Sequence, residues 1–143
     1  MAEFSVFETS WKENETALRK IRQAVFIVGQ NVSEEEEWDG LDEQARHLLI
    51  GKGNKMFACA RIVDEGDALH LGRVAVLELW RGQGLGKLLV TTAIKIAMMH
   101  ECKFLVLDAQ SYALEFYTSF GFQAEGAEFM DAGIPHRHMR LVL

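Results

Sequence analysis

Cysteine is scarce in this chain, positive charge is in deficit, and no apolar run is long. The two cysteines among 143 residues, Cys59 and Cys102, sit in apolar surroundings without metal-site spacing. That excludes a disulfide framework and points to buried free thiols in a reducing cytoplasm. A nucleophilic role for either would need a neighbouring base that the sequence does not place. Lysine and arginine number 15 against 21 aspartates and glutamates, a net charge of −6, which argues against nucleic acid as a partner. No segment approaches the roughly 20 apolar residues of a membrane helix. The opening Met1-Ala2-Glu3-Phe4 has neither the charged region nor the apolar core of a secretory signal. The five histidines show no metal-ligand spacing, so no metal is expected.

What is present is ordinary soluble composition, 49% hydrophobic and 25% charged, in a length that suits one domain over residues 1–143. Phe4 to Glu8 reads as a strand. Asn14 is placed to cap a helix with Leu18, Ile21, Val25 and Val28 on one face. Ser33-Glu34-Glu35-Glu36 has the form of a capping box opening a second, short helix. Strand-like runs follow at His47–Ile50, Met56–Val63 and Ala68–Val76, with glycine turns between them. A helix from Leu88 to Met99 carries Leu85, Leu88, Leu89, Thr92 and Ile96 on one side. Phe104–Leu107 has the continuous apolar character of a strand buried on both faces. Ser111–Phe120 reads as a helix stopped by Gly121, and two strands broken near Ala132–Pro135 complete the chain. No linker or repeat interrupts this order. It predicts an α/β fold, a mixed sheet with helices on both faces.

The most informative segment is Arg81-Gly82-Gln83-Gly84-Leu85-Gly86-Lys87, between a strand and a helix. Alternating glycines let backbone N–H groups approach an anion, and the helix start adds unpaired N–H groups and partial positive charge. A nucleotide P-loop needs four residues between its glycine and the Gly-Lys pair, then Ser or Thr; here three intervene and Leu88 follows. A dinucleotide fingerprint counted from Gly82 would need glycine where Lys87 stands. Arg81-x-x-Gly84-x-Gly86 instead resembles the signature with which GNAT acetyltransferases grip the pyrophosphate of coenzyme A. Ala113-Leu114-Glu115-Phe116-Tyr117 with Gly121-Phe122 is similar to a second segment of that family. Ile21–Gln30, Glu37-x-Asp39-x-x-Asp42 and Gly133-Ile134-Pro135-His136-x-x-Met139 look like its ElaA/YjcF-type branch, although Gly29-Gln30 stands where that branch usually has Glu-Gln.

The resemblance implies the GNAT fold, with a mixed, mostly antiparallel central sheet, and N-acetyl transfer from acetyl-CoA to an amine without a covalent enzyme intermediate. It implies that Val74, Ala75 and Val76 meet pantetheine through their backbone and that the loop from Arg81 to Lys87 holds the pyrophosphate. Gln110 and Phe116 are expected beside the coenzyme, Gln110 standing where the family often has asparagine. Tyr117 is the expected general acid, since a phenol of ordinary pKa about 10 keeps its proton at neutral pH; the alternative is that it only packs its helix. His136 is the candidate base, or it fixes the turn after Pro135 by a backbone hydrogen bond. His47 is a supporting candidate, while His70 and His100 read as structural or solvated. Trp80 reads as packing or as a lid over the coenzyme. The acidic run Glu34–Glu37 with Asp39 is expected to be a solvated helix start, the alternative being the border of an acceptor pocket. A non-catalytic acyl-CoA sensor on the same fold is the competing reading, and edge strands near the C-terminus leave room for a homodimer.

Overall fold

The computed structural model describes residues 4–143; the part of the signal-peptide reading that rests on Met1, Ala2 and Glu3 lies outside them. Strand β1, Ser5–Thr9, leads into helix α1, Trp11–Arg22. The helix is capped by Ser10, whose hydroxyl accepts from the Glu13 N–H at 3.2 Å. The expected cap, Asn14, is instead a kink inside the helix at φ −135°, where its side-chain amide donates to Thr9 Oγ1 at 2.6 Å. Gln23–Val28 continues as a π-helical turn. The wider winding breaks the 3.6-residue phase, so Val25 is buried while Val28, expected beside it, is 75% exposed.

Helix α2, Glu34–Glu37, is capped by Ser33 as expected. Strands β2 (Arg46–Lys52), β3 (Lys55–Asp64) and β4 (Ala68–Val76) form an antiparallel meander. Helix α3 spans Leu85–Met99, β5 Phe104–Gln110 and α4 Leu114–Thr118. Ser111–Ala113, expected inside that last helix, is a 3₁₀ turn. Strands β6 (Gln123–Asp131) and β7 (Ile134–Val142) complete a seven-stranded sheet of order β1-β2-β3-β4-β5-β7-β6.

Alternation along the strands assigns the two faces. Leu48 and Ile50 pack with Leu85, Leu89, Val90 and Ala93 of α3, whereas Leu49 between them packs with Leu18 and Ile21 of α1. The buried stripe of α3 is Leu85, Leu89, Ala93 and Ala97 with Val90. It is rotated from the expected one because the small Ala93 and Ala97 let the helix approach the sheet while Leu88 and Ile96 flank the contact. Trp80 stacks on Phe57 with centroids 3.8 Å apart and meets Phe4 edge-on, so it packs the core. Among the described residues no helix is long and apolar enough to cross a membrane.

Candidate active site

The sheet opens between β4 and β5. These parallel strands are paired only over Ala68–His70 and Phe104–Val106. Beyond that point β5 follows β7, from Leu107 opposite Met139 to Gln110 opposite His136. Among the described residues no strand pairs with the rest of β4 on that side, and a cleft of about 1150 Å³ occupies the gap. Its walls include Val74, Val76, Arg81, Gln110, Tyr117 and His136.

Hydrogen-bond phase shows which β4 groups face the gap. Leu77 N–H donates to Phe57 C=O at 2.9 Å, and Val76 lies opposite Ala58. Val76 and Ala58 are therefore a non-hydrogen-bonded pair, with the Val76 N–H and C=O turned away from β3. The Val76 carbonyl accepts from Arg81 Nε at 3.0 Å, which folds the Arg81 side chain over the end of the gap. Two residues back, Val74 presents its backbone to the same side. Ala75, opposite Cys59, is phased toward β3, so of the three backbone candidates it is the one whose N–H does not face the gap.

The glycine loop continues from Arg81. Gly84 holds φ +80° as the residue preceding α3, a left-handed conformation a side chain would strain. The first helical bond runs from Leu88 N–H to Gly84 C=O at 3.0 Å, leaving the N–H groups of Leu85, Gly86 and Lys87 without helical acceptors. Lys87 is exposed beside them. A Cβ added at Gly86 would sit 3.5 Å from Phe116 Cζ, so α4 lies close over the start of α3.

Tyr117 on α4 lies edge-on to Phe116 and Phe122 at centroid distances of 5.0 and 6.0 Å. Burial raises its phenol to about 12, which holds the proton an acid needs. His136 is buried at 8% exposure and stacks on Phe129. Its Nδ1 lies 2.7 Å from the Ile134 carbonyl. A carbonyl only accepts, so Nδ1 donates to it, and in the neutral ring the lone pair lies on Nε2. The turn-fixing bond is thus present and does not use Nε2. Gln110 donates to Gln30 Oε1 at 2.8 Å, tying β5 to the segment after α1 across the cleft. His47 is buried with Nε2 2.9 Å from the Asp42 carbonyl, and burial lowers its pKa. It lies outside the cleft lining. Cys59 is buried and its thiol is raised by burial to about 12, which removes it as a nucleophile.

The acidic segment is only in part the solvated run expected. Glu34, Glu35 and Glu36 are exposed, but Glu37 is 2% exposed and accepts from Arg22 Nε at 2.7 Å. Arg22 also reaches Asp42 Oδ1 at 2.6 Å. Arg61 grips Asp39 through two bonds of 2.8 and 2.9 Å. Burial opposes the charge on Asp39, yet the Arg61 bonds hold its carboxyl down at about 2. For Arg22, the bonds to Asp42 and Glu37 likewise outweigh burial and raise its pKa. Arg73 brings a third guanidinium to this cluster. The sequence carried two signals of it, since Arg22 falls on the buried stripe of α1 with Leu18, Ile21 and Val25, and Arg61 interrupts the apolar run of β3.

His70, expected to be structural or solvated, lines the cleft where β4 and β5 part. It lies 3.0 Å from Glu65 and 3.5 Å from Asp108, whose other oxygen is 2.9 Å from His138 Nδ1. Burial disfavours its charge, but Asp108 and Glu65 raise its pKa overall. His70 in turn is the main cause holding Asp108 at about 2. His100 pairs with Asp64 at 3.5 Å and does not line the cleft.

A parted β4–β5 pair with gap-facing strand amides, followed by a glycine loop into a helix, lines the cleft with backbone donors. The chain belongs to the GNAT acetyltransferases, for residues 13–143 match the acetyltransferase (GNAT) domain model. It is 37% identical over 120 residues to the uncharacterized protein YyaT of Bacillus subtilis, covering 82% of this chain and 81% of that one. It is 33% identical over 120 residues to the uncharacterized N-acetyltransferase YjcF of the same organism, covering 83% and 86%. The crystal structure of Escherichia coli ElaA superposes with a TM-score of 0.87 at 30% identity, covering 96% of this chain and 99% of that chain. The expected family, branch and fold are borne out, and the protein is an N-acetyltransferase.

Proposed function

We propose that the chain works as a single-domain, cytoplasmic N-acetyltransferase that takes acetyl-CoA as acyl donor and a cationic primary amine as acceptor. The observation that carries this reading is the unpaired edge of β4. The gap-facing amides of Val74 and Val76 lie next to the free N–H groups of the glycine loop, matching a pantetheine arm followed by a pyrophosphate.

His136 Nε2 takes the proton from the acceptor's ammonium group, directly or through water. The free amine then attacks the thioester carbonyl. The Val74 N–H stabilises the oxyanion, and Tyr117 gives its phenolic proton to the departing thiolate; the second proton, lost from the acylated nitrogen to water, restores the Tyr117 phenol. Holding amine and thioester together supplies much of the acceleration by making attack effectively unimolecular. A cationic acceptor fits the wall formed by Glu35, Glu36 and Asp131; Glu65 and Asp108 line it too, paired with His70. Arg61 and Arg73 share that wall but are held by Asp39 and Glu37.

The test is free-thiol release from acetyl-CoA with a panel of diamines, amino sugars, amino acids and peptides. Release with cationic amines supports the reading. Acetyl-CoA binding without release for any amine would replace it with the acyl-CoA sensor.

A further inference from the structure

Strand β4 contains one residue more than its pairing requires. Arg61 lies opposite Gly72 and Cys59 opposite Ala75, so Ala60 faces both Arg73 and Val74. Arg73 is the inserted residue of this bulge and stands at φ +50°, where a non-glycine side chain is strained. The insertion decides which amides reach the gap. Without it, the alternation that starts at Gly72 would turn the Val74 and Val76 N–H groups toward β3 and leave Ala75 facing the gap.

The side chain of the same residue is anchored on the opposite wall. Arg73 Nη2 donates to the carbonyls of Glu36 and Glu37 at 3.2 and 3.0 Å and to Asp39 Oδ2 at 3.3 Å. Its Nε lies 2.9 Å from Glu37 Oε2, off the N–H axis, so that contact is an ion pair and not a hydrogen bond. The anchor is itself fixed from two directions. Glu37 is gripped by Arg22 of α1 through both its carboxylate and its carbonyl, and Asp39 by Arg61 of β3. Three guanidiniums from three elements thus close on Glu37, Asp39 and Asp42 of one segment.

We infer that Arg73 is a positioning residue for acyl transfer. Its guanidinium, locked on Glu37 and Asp39, holds the β4 bulge in the left-handed conformation that turns the Val74 N–H to the thioester carbonyl. This rests on the acetyl-CoA reading above. It adds that the buried ion cluster acts on catalysis through the backbone of β4, with Arg73 making no contact with the reacting atoms.

Replacing Arg73 by alanine and by glycine separates this from a purely structural role. Alanine loses the lock and keeps the steric penalty of positive φ, so the bulge relaxes. Glycine loses the lock but adopts positive φ freely. Arg73→Ala is expected to lower kcat by about tenfold to a hundredfold, toward the scale of a lost oxyanion donor, with the acceptor KM little changed. Arg73→Gly is expected to retain several times the alanine variant's kcat. Alanine equal to or better than glycine, or within about twofold of the parent rate, overturns the inference.

A second readout needs no turnover. The Val76 amide resonance of the ligand-free protein, three residues from the substitution and turned to the gap by the same bulge, should move in Arg73→Ala and hold its place in Arg73→Gly. A Val76 resonance unmoved in Arg73→Ala removes the lock but leaves the acetyl-CoA reading intact. Failure of acetyl-CoA to perturb any amide of the parent protein strikes that reading instead.

Discussion

Arg22 and Glu37, fifteen positions apart in sequence, meet at 2.7 Å with side chains only 1% and 3% exposed. Burying either charge alone is costly, and each is tolerated because the other is there. Arg22→Met leaves Glu37 short of a partner in a dry setting, and the expected loss of stability is about 3–5 kcal/mol. Denaturant unfolding measures it; a loss below about 1 kcal/mol, as for a surface pair, would contradict this account.

The same cluster sets the response to acid. Asp39 lies near 2, below its unfolded value, and Asp42 is also lowered. Such groups contribute stability above the unfolded pKa of about 3.9 and lose it as pH falls through the folded one. His47, depressed by burial, acts in the same direction from about pH 6.5 downward. His70 has the opposite sign. Its raised pKa gives stability that is present below about pH 6.5 and lost as pH rises through the folded value. Melting temperature should therefore drop steeply between about pH 4 and 2, and His70→Gln should flatten the decline just above neutrality. An unchanged slope in His70→Gln would show that the two carboxylates do not hold its proton.

Tyr117→Phe removes one oxygen from a residue packed on Phe116 and Phe122. Turnover should fall by about 10²–10⁴-fold, the usual worth of a placed general acid, with acetyl-CoA affinity nearly unchanged. Equal turnover at every pH would end its acid role.

Loss of the His136 ring takes away the nitrogen proposed as the base. His136→Ala should erase the acidic limb of the pH–rate profile, and an intact limb would assign the base elsewhere.

At the helix start, Gly84→Ala places a Cβ at φ +80°. The strain, about 1–2 kcal/mol, should weaken acetyl-CoA binding while leaving the amine KM alone. Unaltered binding would mean that the loop does not grip the coenzyme.

Much of the fold could be read in advance because its elements carry strong local patterns. The glycine loop, the apolar run of β5, the Ser33 cap and the stop at Gly121 each announce themselves within a few residues. Asn14 misled because Ser10, one turn earlier, offers the same capping chemistry, and local sequence does not rank the two. Val28 misled because a π-helical turn shifts the phase on which the helical pattern depends. The site divided along the same line. The loop stood out by its spacing, and Tyr117 and His136 as candidates through motifs that resemble the family's. The Arg22–Glu37–Arg73 lock did not, because its members come from α1, α2 and β4 and meet only in three dimensions. The parting of β4 from β5 was equally hidden, since it depends on where pairing stops and not on which residues are present.

The most direct test of the central claim is calorimetric titration of the purified protein with acetyl-CoA, with ATP and NADH as controls. The account predicts saturable binding of acetyl-CoA and none of comparable strength for either control. No binding of acetyl-CoA, or equal binding of all three, would contradict it and leave the glycine loop as a packing feature.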